Sequence, residues 1–171
     1  MKQLLLFILI CFSLNMAAQQ ENVWFEKAVG FYENAAFDSS IIYFTKLIET
    51  YPDSSQLYYN RGLAYYGEEK WEPAKQDLLK VMTLRQNDIK ALQWLAKISV
   101  EENKWEEAIA DYEKLYELTG NSEVRLQLNI CKVNLWISNY WLYFILLFVS
   151  LISLIIIFVK KSKKAKNMQS P

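Results

Sequence analysis

Histidine is absent from this chain of 171 residues, which also has only two cysteines, three prolines and four glycines. Without an imidazole there is no histidine general base, no Ser/His/Asp or Cys/His nucleophilic arrangement and no histidine-containing metal site. Paired acids such as Glu68-Glu69 and Glu106-Glu107 are interpreted as solvated turns and partners of a helix dipole. We therefore expect a protein that is not an enzyme, with no catalytic or metal-binding residues and no cofactor.

The two cysteines are Cys11, inside an N-terminal apolar run, and Cys131, far along the chain. If Cys11 is removed with a signal peptide, no intramolecular disulfide can form. Cys131 is then interpreted as a small apolar residue packed in a helix, with an intermolecular disulfide as the alternative.

A cluster of basic residues is also missing from most of the chain. All 19 acidic residues lie between Glu21 and Glu123, and this stretch, extended to Asn139, contains 13 of the 19 basic residues, which gives a net charge of −6. Binding to nucleic acid requires clustered lysine or arginine to neutralise phosphates. We therefore expect no nucleic-acid partner.

Residues 1–18 have the pattern of a secretory signal peptide and not of a membrane span. Lys2 precedes nine apolar residues, Leu4 to Phe12, and the segment ends in Ala17 and Ala18. Nine helical residues rise about 13 Å, whereas the hydrocarbon core of a bilayer is about 30 Å thick. We expect cleavage after Ala17 or Ala18 and export of the remaining chain.

A second apolar segment, Trp141 to Val159, is long enough to cross a bilayer. Its nineteen residues carry no charge and contain neither glycine nor proline, and as a helix they rise about 28 Å. We predict a transmembrane helix over residues 140–159. Lysines concentrate in the tail that follows the span, residues 160–171, and this tail is expected to stay unfolded. The lysines favour a cytoplasmic tail, with the residues that precede the span outside the cytoplasm.

A pattern of small and large residues recurs in the remaining chain at a spacing of 34. A small residue is followed nine positions later by an aromatic residue and twelve positions later by another small residue. The first small residues are Ala28, Gly62 and Ala96, the aromatic residues are Phe37, Trp71 and Trp105, and the second small residues are Ser40, Ala74 and Ala108. A period of this length predicts helical hairpins that stack into a solenoid, because one hairpin cannot bury its apolar face alone.

This pattern resembles the tetratricopeptide repeat (TPR) family. The resemblance places units at residues 21–54, 55–88 and 89–122 and implies an all-α solenoid of three helical hairpins. Residues 123–138 are interpreted as the capping helix of the stack, ahead of the span. In this register the small residues occupy the eighth and twentieth positions, where the helices of a hairpin meet. Large residues at the seventeenth and twenty-fourth positions fill the space between hairpins, the latter being Phe44, Leu78 and Tyr112.

The breaks between the predicted helices contain turn and capping residues. Pro52 follows the last helical turn of the first unit, and Ser54 or Ser55 can cap the next helix. Pro73 suits a first helical position, where no amide hydrogen is needed. Gly120 is expected to end the last helix of the third unit.

In the family that the chain resembles, the first helix of each unit lines a concave surface that binds peptides. The resemblance implies a groove lined by Phe25, Val29, Tyr32, Gln56, Tyr59, Leu63, Tyr66, Lys90, Gln93 and Lys97, with Asn22, Val100 and Gln127 in the same rows. One half is aromatic and apolar and the other polar and basic, which suits an extended or helical peptide with apolar anchors and an acidic end. The alternative is that several of these aromatic side chains are packed as core.

Some relatives grip the C-terminal carboxylate of a chaperone with lysine and asparagine at two of these groove positions. The first unit has Phe25 and Val29 there, so the resemblance does not extend to that activity. The partner is expected to be a peptide segment of another protein, and its identity stays open.

These features together predict a membrane-anchored adaptor of a bacterial inner membrane, with the repeats in the periplasm and an envelope protein as partner. The alternative is a structural membrane component that assembles through its transmembrane helix, with the stack as a spacer. Ser150 and Ser153 offer small polar contacts for such assembly, but no Gly-X-X-X-Gly face exists. The oligomeric state stays open.

Overall fold

The computed structural model describes residues 22–167, with side chains described as far as Lys161. The predicted signal peptide, residues 1–18, lies outside the described residues. The helices of the described part are α1 over residues 22–33, α2 Phe37–Thr50, α3 Ser55–Gly67, α4 Trp71–Leu84, α5 Ile89–Glu101, α6 Trp105–Thr119 and α7 Ser122–Asn167. Every regular element in this part is a helix, and α1 to α6 form three hairpins. The predicted all-α repeat fold is confirmed.

The hairpins repeat at the 34-residue spacing in their backbone as well as in their side chains. The second helix of each hairpin begins at Phe37, Trp71 and Trp105. The turn inside each hairpin has one residue of positive φ at the equivalent place, namely Ala35 (56°), Glu69 (57°) and Asn103 (58°). The chain therefore makes the same turn three times, although a different residue occupies its left-handed position each time.

The two helices of each hairpin touch at the small residues of the eighth and twentieth positions, all of which are buried. In the first hairpin, the Ser40 hydroxyl donates a hydrogen bond of 2.8 Å to the carbonyl oxygen of Ala28. In the second, a β-carbon added at Gly62 would lie 3.3 Å from the β-carbon of Asp77 and 3.4 Å from the carbonyl oxygen of Ala74. Because backbone atoms are this close, the size of these residues sets the distance between the helices.

Three apolar clusters hold the hairpins and the start of α7 together. The buried residues of the twenty-fourth position, Phe44, Leu78 and Tyr112, belong to one cluster each. Burial of each such side chain stabilises the fold by roughly 1.5–3 kcal/mol. The aromatic residues of the seventeenth position are only partly buried. Phe37 nevertheless connects two units, because a β-carbon at Gly67 of the next hairpin would lie 2.6 Å from its ring.

A largely buried ion pair joins the two helices of the second hairpin, and its arginine also bonds to the first hairpin. The Arg61 guanidinium on α3 donates two hydrogen bonds of 2.8 Å to the Asp77 carboxylate on α4 and one of 3.1 Å to the Thr45 hydroxyl on α2. Hydrogen bonding to Asp77 raises the pKa of Arg61. The rings of Tyr58 and Tyr65 lie within 5.8 Å of the guanidinium. Since both charges are shielded from water, loss of either partner would leave an uncompensated charge.

The helix ends match part of the predicted capping chemistry. Gly120 ends α6 with a φ of 61°, in the left-handed region that favours glycine. Asp88 caps α5 by accepting a hydrogen bond of 3.0 Å from the amide of Ala91. Ser54 precedes α3, but its side chain makes no capping hydrogen bond. Pro73 is the third residue of α4 and not the first, which the helix tolerates because its first four amide hydrogens have no partner within the helix.

α7 is one continuous helix of 46 residues that includes both the predicted cap and the predicted span. No glycine or proline occurs between residues 121 and 170, so nothing interrupts the backbone hydrogen bonds between cap and span. The expectation of an unfolded tail is not met over residues 160–167, because the helix continues to Asn167. Residues 168–171 lie outside the described residues.

The two ends of α7 have different surroundings. Near its start, Val124, Leu128 and Cys131 are buried in the cluster that α7 shares with α5 and α6. Burial raises the pKa of the Cys131 thiol, and the residue packs as a small apolar side chain. The stretch from Ser122 to Lys161 is long and apolar enough to cross a membrane, by length and composition. From Leu142 to Val159 its large apolar side chains are exposed.

Candidate peptide-binding groove

The first helices of the hairpins, α1, α3 and α5, carry the predicted groove residues. Residues at the second, fifth, ninth and twelfth positions of a unit lie on one face of a helix, because they are three or four residues apart. None of the ten predicted residues is fully buried, and all except Phe25 line a cleft of the surface. Phe25 packs edge-on against the buried Phe44, with ring centroids 6.1 Å apart.

A small apolar pocket lies between the first two hairpins. Its volume is about 90 Å³, and it is lined by Val29, Tyr32, Phe44, Asn60 and Leu63. Three of these residues were predicted to line the groove, and the structure brings them together. The pocket is large enough for one apolar side chain, which it would hold against the Phe44 ring.

An aromatic cluster occupies the middle of the groove, where α3 faces α5. The Trp94 indole donates a hydrogen bond of 3.0 Å to the Tyr59 hydroxyl. The ring of Tyr66 packs edge-on against Trp94 at 4.8 Å and against Trp71 at 5.1 Å. These rings are half-buried and not part of the fully buried core. They therefore form a rigid wall with one side open to solvent.

The phenols of this cluster stay neutral near neutral pH. Burial, followed by the nearby Glu101 carboxylate, raises the pKa of Tyr66 to about 12. Its hydroxyl donates a hydrogen bond of 3.2 Å to that carboxylate. Burial also raises the pKa of Tyr59. Both phenols can therefore exchange hydrogen bonds with a peptide without carrying charge.

Lys97 provides an exposed positive charge next to the aromatic wall. Its ammonium lies 4.5 Å from the Trp94 ring centroid and 5.0 Å from that of Tyr66. Contact with aromatic faces holds a lysine side chain in place while its charge stays in water. A carboxylate or carbonyl group of a ligand would meet this ammonium at the edge of the wall.

Beyond Lys97 the groove becomes polar and contains acidic as well as basic groups. A cleft of about 360 Å³ lies between α5 and α7 and is lined by Gln93, Lys97, Val100, Glu101, Tyr112, Asn121, Glu123, Val124 and Gln127. The sequence suggested a polar and basic end, but Glu101 and Glu123 also face this cleft. A second polar cleft, of about 380 Å³, includes Gln56, Tyr59 and Lys90 among its lining residues.

The groove residues that the sequence analysis missed include Asn60, Trp94 and Glu101. Asn60 and Trp94 occupy the sixth position of their units, which is one turn from both the second and the ninth position. Helical spacing alone would therefore have placed them on the same face. Glu101 follows the twelfth position and ends α5. Within the described residues, no group of three or more acidic or cysteine side chains is arranged to hold a metal ion.

A stack of helical hairpins with an open, partly aromatic groove defines a helical-repeat binding domain. The tetratricopeptide repeat family model matches residues 55–88 and 89–122, which are the second and third hairpins. The second and third hairpins are therefore tetratricopeptide repeats. A comparison with curated protein sequences finds no match.

Solved structures of TPR domains are similar to about two thirds of this chain. The first TPR of Spaghetti (RPAP3), bound to the HSP90 peptide SRMEEVD, is 28% identical, with a TM-score of 0.62 over 68% of this chain and 94% of that one. The first TPR domain of human RPAP3 is also 28% identical, with a TM-score of 0.60 over 67% and 91%. The Yersinia enterocolitica type III secretion chaperone SycD, in complex with a peptide of the translocator YopD, is 13% identical, with a TM-score of 0.62 over 67% and 94%.

Proposed function

We propose that this protein is a membrane-anchored adaptor whose TPR stack binds a peptide segment of another protein, on the extracytoplasmic side of a bacterial inner membrane. The observation that carries the proposal is the half-buried aromatic wall of Tyr59, Tyr66 and Trp94, which borders one open cleft at Tyr59 and another at Tyr66. Aromatic side chains held rigidly at a surface are favoured anchors for peptide binding. Two of the similar domains hold peptides, the HSP90 peptide in Spaghetti and the YopD peptide in SycD.

The groove favours a peptide with an apolar side chain at one end and hydrogen-bonding groups at the other. The apolar side chain enters the pocket between Val29 and Leu63. The peptide backbone then crosses the aromatic wall, where the phenols exchange hydrogen bonds with it. A carboxylate or carbonyl group reaches Lys97. Because Glu101 and Glu123 lie close by, a run of acidic residues at this end would be repelled.

The chaperone tail bound by Spaghetti is a poor candidate for this groove. Phe25 and Val29 occupy positions where carboxylate-gripping relatives have lysine and asparagine, and both side chains contribute apolar surface. The peptide SRMEEVD should therefore not bind the full chain at concentrations that saturate a carboxylate-gripping domain. Titration with that peptide, followed by tryptophan fluorescence, measures this, and micromolar binding would show that the proposed peptide chemistry is wrong.

The proposed anchor is the apolar part of α7. The lysines that follow Val159 favour a cytoplasmic end for the helix, and the predicted signal peptide favours export of the stack. Within the span the Ser150 hydroxyl donates to the carbonyl oxygen of Leu147 and the Ser153 hydroxyl to that of Ser150, at 2.7 Å each. Both hydroxyl hydrogens are used inside the helix, which favours the adaptor over assembly through polar contacts between spans.

Site-specific photocrosslinking in living cells tests the groove. A photoreactive residue replaces Gln93 or Gln56, which are exposed in the groove, or Leu79, which is exposed on α4, as the matched control. We expect one crosslinked partner from both groove positions and none from Leu79. The double variant Tyr59→Ala/Tyr66→Ala should lose this adduct while keeping its helical circular dichroism. A crosslinking yield at Leu79 equal to that at the groove positions, or an unchanged adduct in the double variant, would show that the groove assignment is wrong.

The orientation is tested separately. A membrane-impermeant maleimide applied to spheroplasts should label Gln93→Cys in the groove, and it should label a cysteine introduced at Ser170 in the tail only after lysis. Alkaline extraction of the membranes should leave the chain in the pellet. Labelling of Ser170→Cys in intact spheroplasts would show that the proposed orientation is reversed.

A further inference from the structure

The start of α7 has two apolar stripes on opposite faces, and only one of them is covered. Val124, Leu128 and Cys131 form the covered stripe, packed on α5 and α6. The other stripe consists of Leu126, Ile130, Val133 and Ile137, with exposed fractions of 57%, 45%, 55% and 48%. A helix that only caps a solenoid needs a polar outer face. This outer stripe therefore requires another explanation.

The outer stripe has the spacing of a coiled-coil seam. Its residues follow one another at intervals of four, three and four, which is the alternation of a and d positions in a heptad. Ile130 and Ile137 fall at a, and Leu126 and Val133 fall at d. β-branched residues at a favour parallel two-stranded coiled coils, most strongly when leucine occupies d. The residues beside the seam carry no charge, since they are Gln127, Asn129, Asn134 and Trp136.

From this pattern we infer that the outer stripe of α7 is a dimer seam, occupied by the same stripe of a second copy in parallel. In a parallel homodimer the e residues of one helix face the g residues of the other, so like charges at these positions would repel, whereas uncharged flanks are compatible with pairing. The parallel direction rests on the proposed membrane anchoring. Two copies inserted with one orientation present the same face at the same height, because α7 continues from the stripe into the span without a break.

The repeats do not obstruct this arrangement. Residues two apart on a helix differ by about 200° in direction, so the stripe that starts at Leu126 lies nearly opposite the one that starts at Val124. The two stacks therefore lie on the outer sides of the paired helices, with their grooves open. The nearest lysine on this stretch, Lys132, is already paired with Glu113 of its own stack at 2.8 Å.

Disulfide crosslinking of the full chain in membranes tests the seam. In a background of Cys11→Ser and Cys131→Ala, single cysteines replace Ile130 or Val133 in the seam, or Arg125 or Lys132 as exposed controls outside it. On mild oxidation, the seam variants are expected to give a crosslinked dimer at several times the yield of the controls. Equal yields at seam and control positions would mean random collision and would overturn the inference.

A disruption experiment provides the second measurement. Ile130→Glu/Ile137→Glu should abolish the dimer, detected by crosslinking at Val133→Cys, whereas Arg125→Glu/Lys132→Glu should keep it. Circular dichroism and alkaline extraction of the same samples report folding and anchoring. A folded, anchored chain that stays dimeric with both glutamates would overturn the seam. Extraction of the wild-type chain into the soluble fraction would instead contradict the anchoring, and crosslinks at Val133→Cys would still decide whether the seam exists.

Discussion

Single residues in the hairpin turns carry backbone strain that their side chains do not relieve. Ala35, Glu69 and Asn103 occupy the same left-handed position of three equivalent turns. A left-handed conformation costs a residue with a β-carbon roughly 1–2 kcal/mol, and asparagine is among the residues that tolerate it best. The turn geometry is therefore imposed by the packing of the helices and not by the residue at its strained position.

Ala35→Gly should stabilise the protein by roughly 0.5–1 kcal/mol. Glycine adopts the left-handed conformation without strain, which stabilises the folded state. Part of this stabilisation is offset because glycine has greater conformational entropy in the unfolded chain. Asn103→Gly serves as the matched substitution and should give a smaller gain. Chemical denaturation of the full chain, followed by tryptophan fluorescence, measures both. A loss of stability in Ala35→Gly would contradict the assigned backbone conformation.

Asp111 is a partly buried acid without the arginine partner that Asp77 has in the preceding unit. Asp111 occupies the same repeat position as Asp77, whose carboxylate pairs with Arg61. In the unit of Asp111, the position of Arg61 is occupied by Leu95. Burial raises the pKa of Asp111, and the attraction of Lys75 offsets this effect only in part. Because its folded pKa is raised, the neutral form is favoured in the fold, and stability is lost as pH rises through that pKa.

Asp111→Asn should therefore raise the melting temperature at pH 7 and leave it nearly unchanged at about pH 3, below the ordinary aspartate pKa of about 3.9. Asp77→Asn is the opposite case and should lower the melting temperature at pH 7, because it leaves the Arg61 charge without its partner. Thermal melts at the two pH values distinguish these results. A lower melting temperature of Asp111→Asn at pH 7 would refute the assigned electrostatics.

At the scale of helices, small residues decide how closely a hairpin closes. A β-carbon added at Gly62 would lie at van der Waals distance from the backbone of α4. A β-carbon added at Gly30 would have no neighbouring atom within 4 Å. The two glycines are both in first helices, so they form a matched pair. One is required by the approach of a neighbouring helix, and the other is not.

Gly62→Leu should separate α3 from α4 and cost several kcal/mol, because the helices cannot move apart without losing the core around Leu78. Gly30→Ala should instead stabilise the protein by roughly 0.5–1 kcal/mol, as for a glycine in an unobstructed helix interior. Denaturation curves of both variants provide the measurement. An unchanged curve for Gly62→Leu would show that the hairpin alignment is wrong.

For the whole molecule, α7 connects the stack to the proposed membrane anchor through one continuous helix. It packs in the last cluster of the stack at one end and is apolar enough to cross a membrane farther along. At 1.5 Å per residue its 46 residues are about 69 Å long. The continuous backbone fixes the height and direction of the groove relative to the proposed membrane, so a partner would be held at a defined distance.

A flexible Gly-Ser insertion of four residues after Ser138 should leave the melting temperature of the stack unchanged and broaden its distance to the bilayer. Energy transfer from a dye at Gln93→Cys to acceptor lipids in nanodiscs measures that distance. The same insertion after Lys161, beyond the apolar stretch, is the control and should leave the distribution narrow. A distribution that is already broad in the wild-type chain would contradict a rigid connection.

The sequence by itself determined the helical hairpins, because the 34-residue spacing of small and aromatic side chains repeats the same local steric requirement in each unit. It also placed most of the groove residues on one helix face, since that placement depends only on helical periodicity. The partners of those residues were decided by the tertiary structure. Trp94 meets Tyr59 and Tyr66 only because α5 packs beside α3, and no spacing along the chain encodes the angle between two hairpins. The outer stripe of α7 could be recognised as uncovered only once the opposite stripe was seen to pack on the stack.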